Sequence, residues 1–118
     1  MFKTINSIRQ AHGLPKLRGS WSLVFSATRY ARQMMRSDYF GHQARIPVAS
    51  GWGAAGETLA WHRGWAARPR RTVSRWMHSS AHRAVLLSSR FRRIGLGKAR
   101  GNFAGTRATM WVVHVGRR

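Results

Sequence analysis

Two imidazoles and a carboxylate stand at three separate junctions of this sequence: His42 in "YFGH", Glu57 in "GETLAW" and His82 in "SSAHR". Side chains of these types, brought together from three elements, can ligate a divalent cation or exchange protons with a substrate. The pattern is loose, because 6 His allow many triples. His12, His62, His78 and His114 read as hydrogen-bonded structural residues or surface residues. Glu57 stands out for a second reason: it is one of 2 acidic residues against 22 Lys plus Arg. From the residues alone it is a stray acid, an anchor for an arginine, or a working group. His82 differs from the other histidines by its place in the first turn of a helix. There the positive dipole end disfavours protonation and keeps the ring free for a metal or a proton.

The elements that must position these groups follow from periodicity. "FKTINSIRQAH" is a short helix with Ile5 and Ile8 inward, stopped at Gly13 and Pro15. A second helix starts at Ser20 or Ser22 as N-cap, and Leu23, Ala27, Tyr30, Ala31 and Met34 form its apolar stripe. Residues 39–56 hold several Gly and a Pro and read as a long irregular loop, a feature more often functional than idle. "ETLAWH" reads as a strand with Glu57, Leu59 and Trp61 on one face and Thr58, Ala60 and His62 on the other. After Pro69, "RRTVSRWMHSS" is helical with Val73, Trp76 and Met77 inward, and Ser79 or Ser80 is placed to cap a further helix in "SSAHRAVLLSS". "RFRRIGLGKAR" and "RATMWVVHVG" close the chain as a hairpin through "GNFAG", with Thr109, Trp111, Val113 and Val115 on one face and Met110, Val112 and His114 on the other. Helices first and strands late predict an α+β fold, helices packed on a small, mostly antiparallel sheet.

Composition bounds the functions. At 118 residues, with 43% hydrophobic side chains and 6 Trp, residues 1–118 suffice for one domain with its own core. No stretch approaches the roughly 18 apolar residues of a membrane span, and the N-terminal residues carry no secretory leader pattern. With 0 Cys, disulfides, thiolate metal sites and a Cys nucleophile are excluded. A formal charge of +20 predicts salt-dependent attraction to anionic polymers or an anionic envelope surface. Arg29, Arg32 and Arg36, and again Arg68, Arg71 and Arg75, recur at helical spacing and read first as solvated helix faces. No zinc-finger, RNA-recognition or helix-turn-helix pattern accompanies them, which points away from nucleic acid as a specific target.

Taken in order, "INSIRQAHGLPKL", "LVFSATRYARQMMRSDYFGH", "GETLAW" and "VSRWMHSSAHRAVLLSSRFRRIGLG" resemble a bacterial SCP-like domain of the CAP superfamily, the group of cysteine-rich secretory proteins, antigen 5 and pathogenesis-related 1 proteins. The resemblance runs from Ile5 to about Gly116 and rests on order and spacing, not on any one motif. It implies an α-β-α sandwich with a cleft of two histidines and acidic residues, in which several relatives bind zinc or another divalent ion. His42 matches the first histidine, Glu57 the acid of a "GEN" motif and His82 the second histidine. Some positions depart from the family pattern. Thr58 replaces the amide of "GEN", Ser79 stands where eukaryotic relatives carry a second acid, and Val85 replaces the Asn of "HRANLL". His114 stands where bacterial relatives often have Gln, facing the cleft or water.

Three functions are then open. The first, favoured because no nucleophile with its base and oxyanion hole is readable, is a binding module. A cleft with Trp61, Ser79 and His114 would hold a lipid, peptide or glycan, assisted by Zn2+ or another divalent cation on His42 and His82. The second is a metal-dependent hydrolase using Glu57 as general base. The third is a polyanion binder using the Arg-rich faces. The resemblance implies a secreted or envelope-associated setting.

Overall fold

The computed structural model describes residues 1–48 and 51–118. Its elements follow the order α1 (Phe2–Ala11), β1 (Arg18–Gly19), α2 (Trp21–Ser37), β2 (Ala54–Arg63), α3 (Pro69–Met77), α4 (Ser80–Leu86), β3 (Arg93–Phe103) and β4 (Thr106–Arg117). The sheet runs β1-β3-β4-β2, antiparallel except for the short parallel pairing of β1 with β3. β2 is therefore an edge strand. The strand begins three residues before the "ETLAWH" reading, so the irregular segment expected over 39–56 is shorter: residues 39–48 carry neither helix nor strand, and positions 49 and 50 lie outside the described residues.

Both sheet faces are covered, which makes the architecture an α-β-α sandwich. On one face α2 lays Ala27, Tyr30, Ala31 and Met34 against Leu59, Met110 and Val112. On the other, Ile5 of α1, Val73 and Trp76 of α3 and Leu86 of α4 meet Ile94, Trp111, Val113 and Val115. Every residue of β4 from Ala108 to Val115 is consequently buried, although its side chains alternate between two different cores. The predicted face assignments of β2 and β4 hold in this register, which sets Glu57 opposite His114.

Local chemistry explains the element ends. α2 stops where Asp38 adopts a left-handed conformation (φ 52°). Its Oδ1 then accepts a 2.8 Å bond from the Ala104 N–H. That bond pins the two-residue turn Ala104–Gly105, whose φ values of 52° and 78° are those of a type I′ hairpin. The hairpin is thus tighter than the "GNFAG" turn expected, because β3 continues to Phe103. Pro69 opens α3, where its missing N–H costs nothing. Ser20 and Ser79 occupy N-cap positions, as predicted, but neither makes a side-chain cap bond among the described residues.

Two close contacts set the spacing of the layers. A Cβ at Gly95 would lie 2.1 Å from the backbone carbon of Leu23, and one at Gly97 would lie 2.3 Å from that of Ala27. Glycine at both positions lets the α2 backbone rest directly on β3. Across the sheet, Arg9 is fully buried and has no carboxylate partner among the described residues. Its guanidinium donates to the carbonyls of Pro15 (3.0 Å), Leu86 (2.9 Å) and Ser88 (2.9 Å), closing the exposed end of α4 and the loop after it. The outward side of α2 carries Arg29, Arg32 and Arg36 in solvent, as expected, beside Trp21 and Phe25, which are 84% and 78% exposed.

Candidate functional site

Glu57 is the centre of the site. Its side chain is 3% exposed, and both carboxylate oxygens are engaged. Oε1 accepts from His42 Nδ1 at 2.9 Å, and Oε2 accepts from Gln43 Nε2 at 2.8 Å and from His114 Nε2 at 2.7 Å. Burial pushes the Glu57 pKa up, but the bonds from His114, Gln43 and His42 outweigh it and hold the carboxyl below its ordinary value. Among the described residues no arginine reaches this carboxylate, so the arginine-anchor alternative gives way to an anchor for histidines.

The bonding continues inward. His114 is fully buried against Ser26 of α2 and faces neither cleft nor water, which corrects its place among the cleft residues and matches its reading as a hydrogen-bonded structural residue. Its Nδ1 lies 2.7 Å from Ser26 Oγ, which also contacts the Leu23 carbonyl at 3.1 Å. The hydroxyl has a single proton. Given to His114 it leaves the carbonyl with its helix bond alone; given to the carbonyl it requires the ring to donate from both nitrogens. The chain Ser26–His114–Glu57–His42 therefore couples the core to the surface through shared hydrogens.

Outward, His42 is 57% exposed on its side chain and sits on the irregular segment after α2. That segment is held by Tyr30, whose hydroxyl donates to the Gly41 carbonyl. Burial first, and then the nearby Glu57 charge, raise the Tyr30 pKa, so the phenol stays protonated and able to donate. His82 is brought beside His42, with ring centroids 6.3 Å apart and planes tilted by 40°. Its pKa is lowered, chiefly by burial and secondarily by His42. The ring is thus kept neutral as expected, though through its surroundings more than through the helix end.

Along the free edge of β2 a pocket of about 420 Å³ opens between Phe40, Trp61, Arg75, Trp76, Ser79 and His82. Trp76 closes its floor by donating Nε1 to the Leu59 carbonyl at 2.8 Å, using a bonding position the edge strand leaves open. Trp61 forms one wall and packs against Phe103, the ring centroids 5.0 Å apart and the planes tilted by 57°. Ser79, free of cap bonding, lines the pocket. Trp61, Ser79 and His82 thus line the pocket, His42 stands beside His82, and Glu57 and His114 are not among the lining residues but reach it through His42. Thr58, next to Glu57, points to the opposite face, where its fully buried Oγ1 has no partner among the described residues. Gln43, Ser26 and Tyr30 belong to the site although their sequence context gave no reason to single them out as polar partners. No group of three or more His, Asp or Glu side chains suited to a metal ion occurs among the described residues. No described helix is long and apolar enough to cross a membrane.

An α-β-α sandwich with a histidine and glutamate cleft at the sheet edge defines a CAP-type domain. The family model described as CAP, "Cysteine-rich secretory protein family", matches residues 2–115, and the chain belongs to this family. Solved structures agree on the fold. An outer surface protein from Borrelia burgdorferi superposes with a TM-score of 0.80 at 20% identity, over 99% of this chain and 89% of that one. Venom allergen-like protein 4 of Schistosoma mansoni gives 0.74 at 12% identity, over 99% and 86%. An extracellular SCP-domain protein from Bacillus anthracis gives 0.73 at 22% identity, over 99% of this chain but 39% of that longer one. Comparison with curated protein sequences yields no significant match.

Proposed function

We propose that the chain is a ligand-binding module whose cleft along β2 holds a lipid, peptide or glycan, with zinc or another divalent cation on His42 and His82 assisting the hold. The observation that carries this reading is the adjacency of an aromatic-walled pocket of about 420 Å³ to two neighbouring imidazoles. The donor chemistry fits such a cation. His42 commits Nδ1 to Glu57 and keeps Nε2 free, and neither nitrogen of His82 has a hydrogen-bond partner among the described residues. Two imidazole nitrogens suit a borderline cation, with water completing the shell. When bound, the cation supplies Lewis-acid polarisation of a ligand oxygen.

The protein's own part is orientation. Glu57 fixes the His42 tautomer and ring plane, in the way that a carboxylate behind a ligating histidine does. With both oxygens bonded and the side chain almost fully buried, Glu57 is not offered to water in the cleft, which favours binding over hydrolysis. The extracellular and outer-surface descriptions of the Bacillus and Borrelia relatives support a secreted or envelope-associated setting. The net charge of +20 favours an anionic polymer or surface as its surroundings.

Calorimetric zinc titration of metal-stripped protein at moderate ionic strength tests the metal site. A one-site isotherm that disappears in the His42→Ala, His82→Ala double variant is the expected result. An isotherm unchanged in that variant, or no heat in the wild type, overturns the assignment of these two ligands.

A further inference from the structure

A second, smaller pocket of about 280 Å³ lies beyond the cleft, lined by His62, Arg63, Arg68, Arg71, Thr72 and Arg75. Four guanidinium groups around one cavity raise a local positive potential that favours an anion there. The 2 acidic side chains of the sequence are both engaged elsewhere. The Glu57 carboxylate is taken by His42, Gln43 and His114, and Asp38 accepts from the Ala104 amide. Among the described residues none of the four arginines has a side-chain hydrogen bond or ion pair. Thr72, 4% exposed, also lines the pocket, and its hydroxyl makes no hydrogen bond among the described residues. The wall behind them is fixed. His62 receives the Trp111 indole N–H on Nε2 at 3.2 Å and gives Nδ1–H to the Arg63 carbonyl at 3.1 Å.

We infer that this pocket is a binding site for a phosphate group, and that Arg75, which lines both cavities, joins it to the cleft, so that one ligand places its phosphate here and its apolar or sugar portion against Trp61 and Trp76. Guanidinium groups recognise tetrahedral oxyanions because each presents a planar fork of N–H donors that pairs two oxygens at once. Several forks and a hydroxyl converging on one cavity suit an anion with oxygens on all sides better than a planar carboxylate. The Arg68, Arg71 and Arg75 stripe is exposed, as a solvated helix face would be. The Arg29, Arg32 and Arg36 stripe also borders a hollow, but every residue lining it belongs to α2, whereas here Arg63 of β2 faces the α3 stripe across the cavity. The phosphate site stands by itself; its link to the cleft rests on the binding-module reading above.

The test is calorimetric titration with inorganic phosphate, and then with phenyl phosphate, at constant ionic strength set by sodium chloride. The wild type is expected to bind inorganic phosphate saturably at one site. The Arg68→Gln, Arg71→Gln double variant should weaken binding at least ten-fold. The Arg29→Gln, Arg32→Gln variant removes the same charge from α2 and should change binding less than two-fold. All four side chains are exposed, and thermal melts in chloride confirm that both variants fold. Equal losses in the two variants, or a titration that never saturates, overturn the site by showing only general attraction to a basic protein. Phenyl phosphate should bind several-fold more tightly than inorganic phosphate, with that advantage lost in Trp61→Ala; no advantage overturns the link through Arg75. The His42→Ala, His82→Ala variant should retain phosphate binding. That outcome separates failure of the metal reading from failure of this one.

Discussion

Among the described residues the protein buries one Arg and one Glu, on opposite sides of its sheet, and solves the two problems differently. Arg9 is surrounded by backbone carbonyls from two stretches of chain, the loop after α1 and the end of α4, all of them fixed dipoles. Glu57 is surrounded by side-chain N–H groups of His42, Gln43 and His114, two of them imidazoles that can exchange tautomers. Neither is neutralised by a permanent opposite charge. A buried ion can be stabilised by dipoles alone when enough of them point the right way. The difference lies in what each arrangement permits. The Arg9 cluster is a fastener between α1 and the end of α4, indifferent to pH. The Glu57 cluster can redistribute hydrogens and reaches the surface at His42, so it can serve a site.

Removing the fastener should be the costlier change. Arg9→Met strips the buried carbonyl of Leu86 and the half-buried carbonyls of Pro15 and Ser88 of their donor, a loss of about 3–5 kcal/mol in urea unfolding. Arg9→Lys should recover less than half of it, because one ammonium cannot span carbonyls that a planar fork spans. A loss under about 1 kcal/mol for Arg9→Met would mean those carbonyls find water, and would erase the contrast. Glu57→Gln should cost about 2–3 kcal/mol, since the amide keeps one acceptor and turns an N–H toward groups that donate. Unlike Arg9→Met, it should also loosen His42, seen as broadening of its imidazole proton signals.

Acid sharpens the comparison further. The Glu57 pKa lies below its ordinary value of 4.5 in the folded protein, so its stabilisation is fully present above that value and is lost as pH falls through the folded-state value. His82 acts in the same direction nearer neutrality: its pKa is lowered from 6.5, so stability declines as pH drops below 6.5 toward the folded-state value. Unfolding free energies from pH 7 to pH 3 should therefore fall less steeply in Glu57→Gln than in wild type, whereas Arg9→Met should keep the wild-type slope. Parallel curves for wild type and Glu57→Gln would show that the carboxylate is not the acid-sensitive element. The smallest effect belongs to Ser26→Ala, about 1 kcal/mol, because it removes only the innermost partner of His114. Its signature is a changed tautomer balance in the ¹⁵N shifts of His114, with little change in melting temperature.

These two clusters also mark how far the sequence could be read. The stripe of Leu23, Ala27, Tyr30, Ala31 and Met34 and the alternation of β2 and β4 are local patterns, and each appears on the predicted face. The resemblance placed His42, Glu57 and His82, and the structure brings them together. Partners that depend on distant packing were hidden. Ser26 meets His114 across 88 positions, Arg9 meets Ser88 across 79, and no periodicity relates them. β1 was invisible because two residues cannot show a pattern. Trp76 was legible as an inward residue of α3, but its bond to the edge of β2 needed the sheet order.

Gly95 has a role that its own surroundings do not reveal. It is paired in register with His114 and is pressed against Leu23, one helical turn before Ser26. The missing methyl group thus acts as a spacer of zero thickness, setting how deep Ser26 sits and whether its hydroxyl reaches the imidazole. Widening that gap by the bulk of one carbon would detune His114, then Glu57, then His42, without touching any of them. The reach of the cleft's outermost imidazole is gauged from beneath the sheet, by an atom that is not there.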